Sequence, residues 1–266
     1  MKTVGVFDSG VGGLSVLRAL LAELPGVRLV YLADSAHAPY GERSAGKVVE
    51  RSGRLTAWLR ATHRIDALVI ACNTATALAI DGLRTTHPDL PIVGVEPALK
   101  PAVAVSRTRA IGVLATRGTL QSERFARLRR QVESTASSPV HFFGQPCDGL
   151  ADAIERHDPP ALRQLCHRHV QALLLQAGGD IDTVVLGCTH YPFAEDLLKE
   201  ALGPRVTLID TGVAVARRTR DVLDLPHSSR ATGAPPLLFS TGDPDALTQA
   251  ALRWLGLPCL AQRSRA

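Results

Sequence analysis

Hydrophobic and polar positions follow two alternating patterns along the chain. Short apolar runs rich in β-branched residues predict strands, and stretches with apolar residues at helical spacing, such as that holding Val48, Leu55 and Leu59, predict helices. The strands are continuous apolar runs, which is typical of parallel strands covered by helices on both faces, so we predict an α/β fold with largely parallel sheets. Residues 226–236, rich in Pro, Ser and Gly, predict a surface connection before a last strand and helix. The predicted strands are residues 4–7, 29–32, 67–71, 92–95, 111–114, 140–143, 183–187, 206–209 and 237–240.

Two parts of the chain resemble each other. Residues 66–74 and residues 182–190 both begin with Asp, continue as an apolar strand and reach a cysteine six positions after the Asp. A weaker similarity relates residues 4–10 to residues 111–118. Ligands bind at the carboxyl ends of the strands in open α/β sheets. We therefore expect two related halves that face each other and present one thiol from each side of a shared cleft.

Composition and charge narrow the class of protein. The chain has 266 residues, of which 45% are hydrophobic and 21% charged, which excludes an intrinsically disordered protein. No apolar stretch approaches the roughly 20 residues of a membrane span, and Asp8 comes too soon for a secretory signal, so we expect a cytoplasmic protein. The net charge is +5, but the basic residues are dispersed and aromatic residues make up only 4%. Nucleic acid is therefore not a predicted partner, whereas an anionic small molecule is compatible with the charge.

The five cysteines fall into two groups. None forms a C-x-x-C pair, so neither a disulfide framework nor a zinc ribbon is predicted. Cys147, Cys166 and Cys259 have no polar constellation around them, and we interpret them as small buried hydrophobic residues. Cys72 and Cys188 each follow a strand, precede a predicted helix and have Asn, Thr or His as neighbours. Because the N–H groups at a helix start favour negative charge, these two are the candidate reactive thiols.

Paired thiols suit the inversion of a carbon stereocentre. A thiolate can remove a proton from one face while a thiol delivers a proton to the other, and the exchanged roles serve the reverse reaction. The α-proton of an amino acid is weakly acidic, so such a site must also stabilise carbanionic charge. His190 stands two residues after Cys188, with no second His or Cys at metal-ligand spacing. We interpret His190 as a partner of the thiol and expect no metal.

Residues 8–15, Asp-Ser-Gly-Val-Gly-Gly-Leu-Ser, predict a glycine turn between a strand and a helix. The third glycine of the dinucleotide fingerprint and the lysine of a P-loop are missing, which argues against a phosphate site. We expect the N–H groups of the turn to face a carboxylate, and Asp8 to orient a thiol or a substrate ammonium. Residues 31–41 run from the end of a predicted strand into a polar loop, and residues 116–119 form a further polar loop after a strand. Glu155 lies on a predicted short helix, where we expect its charge to be exposed to solvent.

Together, five motifs resemble the cofactor-independent glutamate racemases over essentially the whole chain. The resemblance implies interconversion of L- and D-glutamate without pyridoxal phosphate or metal, which supplies D-glutamate for peptidoglycan and the cell wall. It also implies two pseudo-symmetric α/β domains, residues 1–96 with 208–266 and residues 97–207, with the active site in the cleft between them. The motifs are FDSGVGGL (7–14), PYG (39–41), CNTA (72–75), EPA (96–98) and GCTHYP (187–192).

The resemblance also implies roles for individual residues. Cys72 and Cys188 are the two catalytic acid/bases, and Asp8 and His190 assist them. Where family members carry a Cys-Pro segment that ends in Leu-Val-Glu, this chain has CDGLADAIE at 147–155, so the role of Glu155 stays open. A homodimer is compatible with the sequence, although no pattern indicates its arrangement. The implied substrate-binding residues are Asp8, Ser9, Tyr40, Gly41, Asn73, Thr74, Thr116, Thr119, Thr189 and His190.

Three alternatives remain at this point. In aspartate and related acid racemases the second cysteine tends to be followed by Thr-Glu, whereas Thr189 and His190 follow it here. A non-catalytic amino-acid-binding module needs neither thiol. A pyridoxal-phosphate enzyme needs a Schiff-base lysine, and none of the lysines stands in a persuasive setting; they are Lys2, Lys47, Lys100 and Lys199.

Overall fold

The computed structural model describes residues 1–226 and 234–266, which form two compact units. Unit 1 consists of Met1–Val95 and Gly212–Ala266, and unit 2 consists of Glu96–Thr211. The sequence predicted unit boundaries after residues 96 and 207, which lie one and four residues from the observed boundaries after Val95 and Thr211. The expected boundary after residue 207 falls inside a strand that pairs within unit 2, so that strand belongs to unit 2.

The described residues contain ten strands, one of which the sequence pattern did not predict. The strands are β1 (Thr3–Asp8), β2 (Arg28–Ala33), β3 (Ala67–Ile70), β4 (Ile92–Gly94), β5 (Ala110–Ala115), β6 (His141–Pro146), β7 (Thr183–Gly187), β8 (Thr207–Ile209), β9 (Leu237–Ser240) and β10 (Ala261–Arg263). The helices are α1 (Leu14–Glu23), α2 (Ala45–His63), α3 (Asn73–Thr86), α4 (Leu99–Val105), α5 (Arg117–Leu120), α6 (Glu123–Thr135), α7 (Leu150–Glu155), α8 (Pro159–Gln176), α9 (Glu195–Leu202), α10 (Gly212–Val222) and α11 (Pro244–Leu255). Short 3₁₀ turns lie at Ser35–His37, Tyr40–Glu42 and Tyr191–Ala194.

Both sheets are parallel at every strand pair of the described residues, which confirms the predicted fold class. The strand order is β10-β9-β2-β1-β3-β4 in unit 1 and β6-β5-β7-β8 in unit 2. In both units the second strand lies on one side of the first, the third lies on the other side, and the fourth lies beyond the third. The internal repeat of the sequence thus corresponds to a repeated strand order, in which β3 and β7 are equivalent.

The strand order places a ligand-binding crevice at the carboxyl ends of two central strands in each sheet. The first strand of each unit connects to one side and the third strand lies on the other side, so the topological switch point falls between β1 and β3, and between β5 and β7. The register brings the carboxyl ends of these strands level: Phe7 pairs with Ile70, and Ala115 pairs with Gly187. Residues that follow these strands are therefore neighbours.

Apolar side chains on alternate strand positions fill the core of each unit. In β7, Val184 and Leu186 pack into a cluster with α7, α8 and α9, whereas Val185 packs on the other face with α4 and α6. In unit 1, Leu55 of α2 and Ile80 of α3 cover one face of the sheet. The central strands β1, β3, β5 and β7 are thus buried on both faces, as their continuous apolar runs predicted.

The carboxyl-terminal part of unit 1 differs from the sequence prediction. We expected one last strand and one helix, but β10 follows α11 and pairs with β9. Residues 227–233 of the predicted connection lie outside the described residues, and residues 226 and 234–236 flank β9 without regular structure. In the described part of the chain, no helix is both long enough and apolar enough to span a membrane.

The carboxylate of Asp182, directly before β7, links this end of the strand to the loop before β5 by hydrogen bonds. Its Oδ1 accepts hydrogen bonds from Ser106 Oγ (2.7 Å) and Thr183 Oγ1 (2.9 Å), and its Oδ2 accepts from the N–H groups of Arg107 (2.6 Å) and Thr108 (3.0 Å). Partial burial opposes ionisation of the carboxyl, but these hydrogen bonds outweigh it and lower the pKa of Asp182 to about 2.

We expect Asp182→Ala to lower the free energy of unfolding by about 2 kcal/mol near neutral pH, because four donors lose their acceptor. Since the pKa of Asp182 is depressed from 3.8 in the folded state, its contribution is present above the unfolded pKa and is lost as pH falls through about 2. Thermal unfolding between neutral pH and pH ~2 should therefore show the two proteins converging in acid. Asp180→Ala, at an exposed neighbouring residue, should behave as wild type; a gap between wild type and Asp182→Ala that does not narrow in acid would contradict this account.

Candidate active site

Asp8, the last residue of β1, has a fully buried carboxylate that is held by the turn after the strand. Its Oδ2 accepts hydrogen bonds from the N–H groups of Gly13 (2.7 Å) and Gly10 (3.4 Å). The sequence predicted that the N–H groups of this turn face a carboxylate. The carboxylate that these two bind is that of Asp8 itself, so the turn fixes the orientation of Asp8.

The turn is closely packed at Gly13. A Cβ atom at this position would lie 2.6 Å from Cβ of Asp8 and 2.8 Å from Oη of Tyr31. Tyr31, in β2, is fully buried and donates its hydroxyl proton to the carbonyl oxygen of Gly10 at 2.5 Å. Glycine at position 13 is therefore required by the close approach of two side chains that hold the turn.

Cys72 caps the amino end of α3. Its Sγ accepts a hydrogen bond from the N–H group of Ala75 at 3.4 Å, and it lies 3.9 Å from Oγ of Ser9, the residue after Asp8. Cys72 and Ser9 are both buried. Negative charge on a sulfur at a helix N-terminus is favoured by the backbone dipoles, so this position suits a thiolate.

Asn73 holds a buried acceptor next to Cys72. Its Nδ2 donates to the carbonyl oxygen of Val95 at 3.4 Å, whereas its Oδ1 has no hydrogen-bond partner among the described residues. The neighbouring Thr74 is also buried. A buried acceptor without a donor is unfavourable, which makes Oδ1 of Asn73 a candidate contact for a ligand N–H group.

The loop after β2 reaches the same region of unit 1. Tyr40 is buried, packs in the hydrophobic cluster that includes Cys72, and donates its hydroxyl proton to Oδ2 of Asp34 at 2.6 Å. Gly41, the next residue, is partly exposed. Unit 1 therefore brings together most of its predicted site residues, from the ends of β1, β2 and β3.

In unit 2, Cys188 follows β7 and belongs to a three-residue chain. Its Sγ lies 3.6 Å from Nδ1 of His190, and Nε2 of His190 lies 2.6 Å from Oε1 of Glu155 at the end of α7. Cys188 and His190 are buried, and the side chain of Glu155 is only 15% exposed. This is a thiol–imidazole–carboxylate arrangement, in which the carboxylate orients the imidazole and the imidazole contacts the sulfur.

The protonation state of His190 follows from its two partners. Burial disfavours the imidazolium, but the hydrogen bonds to Cys188 and Glu155 outweigh burial and raise the pKa of His190 well above its ordinary value. A protonated His190 donates to both neighbours, so it can stabilise a thiolate at Cys188. In residues 1–226 and 234–266, no three His, Cys, Asp or Glu side chains are grouped as a metal ion would require.

The other predicted residues of unit 2 lie at the same two strand ends. Thr116 follows β5, and its Oγ1 caps α5 by accepting from the N–H group of Thr119 (3.2 Å), while its hydroxyl donates to Oγ1 of Thr119 (2.9 Å). Thr189, between Cys188 and His190, is buried. The ends of β5 and β7 thus carry the hydroxyls of Thr116 and Thr189 near the thiol, as the end of β1 carries Asp8 and Ser9 near Cys72 at the end of β3.

Comparison with known proteins identifies the family. Residues 4–219 match the family model described as Asp/Glu/Hydantoin racemase. The chain belongs to the Asp/Glu/Hydantoin racemase family. It is 51% identical over 265 residues to a glutamate racemase of Ralstonia pickettii, covering 98% of this chain and 90% of the relative. It is 50% identical over 222 residues to a glutamate racemase of Pseudomonas aeruginosa, covering 83% and 81%.

Solved structures agree with this membership. Glutamate racemase isoform RacE1 of Bacillus anthracis superposes with a TM-score of 0.86 at 30% identity, covering 99% of this chain and 97% of that one. Escherichia coli glutamate racemase, in complex with L-glutamate and the activator UDP-MurNAc-Ala, gives a TM-score of 0.85 at 30% identity, covering 98% and 97%. As a member of the family, the chain is a racemase, an enzyme of the isomerase class.

Two features of this racemase were missed at the level of sequence. Glu155 was expected to be a solvated charge, but it is hydrogen-bonded to His190, from which 35 positions separate it. Tyr31 was treated only as part of a strand, although its hydroxyl holds the glycine turn. A polar tip on a continuous apolar strand is the signal that could have singled out Tyr31, because buried tyrosine hydroxyls need a partner.

The pKa of His190 can be tested directly. We expect the imidazole of His190 to stay protonated well above pH 6.5, and Glu155→Gln to lower this pKa because one of its two charge-stabilising partners is lost. Heteronuclear NMR of ¹⁵N-histidine-labelled protein over a pH series measures it, with His190→Asn to assign the signal.

Asp152→Asn is the matched control, since Asp152 lies on the same short helix but pairs with Arg156 at the surface. It should leave the titration of His190 unchanged. A neutral His190 at pH ~6.5 in the wild type would contradict the assigned thiol–imidazole–carboxylate arrangement.

Proposed function

We propose that this racemase interconverts L- and D-glutamate, with Cys72 and Cys188 as its two acid/bases and without pyridoxal phosphate or metal. The observation that carries the proposal is the equivalent position of the two thiols. Each follows the third strand of its unit, at the switch point of a parallel sheet, and each lies beside polar groups. Inert buried cysteines have no need of such surroundings.

The choice of substrate is supported by the relatives. The proteins from Ralstonia and Pseudomonas that match at about half identity over most of the chain are glutamate racemases. The Escherichia coli structure, at 30% identity, contains L-glutamate. In aspartate racemases the second cysteine tends to be followed by Thr-Glu, whereas Cys188 is followed by Thr189 and His190.

In the proposed mechanism the two thiols act on opposite faces of the α-carbon. The thiolate of one cysteine removes the α-proton, and the thiol of the other delivers a proton to the opposite face; the roles are exchanged for the reverse reaction. At Cys188, a protonated His190 held by Glu155 stabilises the thiolate form and can return its proton. At Cys72, the N–H group of Ala75 stabilises the thiolate, and we assign Asp8 as the assisting carboxylate.

Substrate binding is assigned to the polar groups near each thiol. The orphan Oδ1 of Asn73 is suited to accept from the substrate ammonium, because that contact would satisfy a buried acceptor. Hydroxyl and N–H groups suit the two carboxylates of glutamate. We assign these contacts to Ser9, Tyr40, Gly41, Thr74, Thr116, Thr119 and Thr189. The D-glutamate formed would supply peptidoglycan synthesis and so the cell wall.

We expect Cys72→Ala and Cys188→Ala each to reduce racemisation of both enantiomers to the background rate, because each direction requires both a base and an acid. Circular dichroism follows the interconversion. NMR in D₂O follows the α-hydrogen, which the wild type should replace with deuterium. Cys259→Ala, at a partly exposed cysteine outside the site, should retain wild-type rates.

Several outcomes would overturn the proposal. Wild-type protein that exchanges no α-hydrogen would indicate a binding module, and rapid turnover of aspartate but not glutamate would indicate an aspartate racemase. Cofactor absorbance in the purified protein would indicate pyridoxal phosphate chemistry.

A glutamate analogue with a leaving group on its β-carbon separates the two thiols. Elimination requires proton removal from only one face, so each single cysteine variant should retain elimination with the one enantiomer whose α-proton faces the remaining thiol. The two variants should therefore have opposite preferences, measured as keto-acid release from each enantiomer. Equal loss of elimination with both enantiomers would contradict a two-sided assignment.

A further inference from the structure

A buried ion pair lies directly beside the unit 1 part of the site. Asp34, the first residue after β2, is fully buried, and Arg51 of α2 is 2% exposed. Nε of Arg51 donates to Oδ2 of Asp34 at 2.9 Å, and Nη2 donates to Oδ1 at 2.7 Å. The carboxylate also accepts from Tyr40 Oη at 2.6 Å and from Thr241 Oγ1 at 2.8 Å. Four hydrogen bonds from three segments of the chain thus converge on Asp34.

The charge states within this group are consistent with its geometry. Burial opposes ionisation of Asp34, but the hydrogen bonds from Arg51, Tyr40 and Thr241 outweigh it and hold the pKa of Asp34 below its ordinary value. Burial and the neighbouring carboxylate raise the pKa of Tyr40 above its ordinary value, so its hydroxyl stays protonated and donates. Asp34 is an ionised acceptor and Tyr40 a neutral donor across the physiological range.

Stability alone is a weak reason for such a pair. The desolvation of two charges offsets most of their attraction, and well-packed apolar residues are often as stable. A bidentate arginine–carboxylate pair instead fixes direction, because the planar guanidinium matches both carboxylate oxygens. Arg51 lies between Val48 and Leu55 on the buried face of α2, where an apolar residue would otherwise be expected. What the pair gains is a fixed orientation for Asp34.

That orientation is transmitted towards Cys72 through Tyr40. The ring of Tyr40 packs in the same buried cluster as Cys72 and Ala75, and the N–H group of Asp34 donates to the carbonyl oxygen of Asp8 at 2.9 Å. The single hydroxyl proton of Tyr40 is directed at Asp34. Any hydrogen-bond donor that Tyr40 and Gly41 offer to a substrate is therefore a main-chain N–H group.

The loop between Asp34 and Tyr40 is held at a second place. Nε and Nη2 of Arg43 donate to the carbonyl oxygens of His37 (3.1 Å) and Ala38 (3.0 Å). Arg43 thus fixes the middle of the loop from the surface, while Arg51 fixes its beginning from the interior. The segment that carries Tyr40 and Gly41 is anchored from both sides.

We propose that the Asp34–Arg51 pair is a positioning device that holds Tyr40, and with it the main chain of Tyr40 and Gly41, in the substrate-binding arrangement beside Cys72. The inference rests on the proposed racemase function and adds positioning residues to it. Among the described residues, Arg51 donates hydrogen bonds to Asp34 and to the carbonyl oxygen of Ala266 and to neither thiol, so it acts on the site through Asp34 and Tyr40. Its loss should therefore weaken substrate binding more than the chemical step.

The test compares Tyr40→Phe, Arg51→Lys and the double variant. Phenylalanine keeps the ring packing and lysine keeps the charge, so both proteins should fold. We expect each single variant to raise KM for L- and D-glutamate by about fivefold, with kcat changed less than KM, because one well-oriented hydrogen bond is lost. The double variant should have nearly the KM of a single variant, since both changes break the same chain of contacts. Initial rates by circular dichroism give KM and kcat, and thermal unfolding monitors the fold.

Arg60→Lys is the matched control. Arg60 lies on the same helix and makes a two-pronged pair with Asp89, but at the surface, so its KM should equal that of the wild type. A lowered midpoint of thermal unfolding with unchanged KM in Tyr40→Phe and Arg51→Lys would make the pair purely structural and overturn the inference. KM effects that multiply in the double variant would also overturn it, because independent contacts multiply. Wild-type protein without glutamate racemisation in the same assay would instead overturn the proposed function, and this inference with it.

Discussion

The candidate site depends on one constraint, the order of the parallel strands. In each unit the first strand lies between the second and the third. In this order the connections diverge between the first and third strands, which leaves a crevice outside their carboxyl ends where ligands bind. Asp8 and Cys72 occupy these ends in unit 1, and Thr116 and Cys188 occupy them in unit 2. Neighbouring strands lie roughly 4.8 Å apart, so residues that follow them are close enough to interact.

Polar groups are buried at the carboxyl ends of these strands in both units, but the two units stabilise them differently. In unit 1, backbone N–H groups face Asp8 and Cys72, and these donors do not change charge with pH. In unit 2, the neighbour of Cys188 is the imidazole of His190, which is itself hydrogen-bonded to the carboxylate of Glu155. Two thiols at equivalent points of a repeated fold thus have unlike electrostatic surroundings.

The sequence predicted the elements whose signal is local. Strand β7 has the predicted bounds because its apolar run is buried on both faces, and the thiols were recognisable from the polar residues beside them. Glu155 was not recognisable, since its partner His190 lies far away in sequence and a solvated helix shows the same pattern around a glutamate. A charged residue at position 51, on the apolar face of α2, indicates a buried partner, but only the fold shows that this partner is Asp34. β10 has no apolar run, and its pairing with β9 is decided by tertiary contacts.

Unit 1 is assembled from two distant stretches of chain, Met1–Val95 and Gly212–Ala266. The carboxylate of Asp34, in the first stretch, accepts a hydrogen bond from the second. The hydrogen bond from Thr241 to Asp34 spans 207 positions, and β9 covers the side of β2 that β1 does not. During synthesis the whole of unit 2 emerges before β9 exists, and until then β2 is an unprotected sheet edge beside an incompletely bonded charge. Unit 1 therefore completes its sheet and the hydrogen bonds of Asp34 only after the whole of unit 2 has been synthesised.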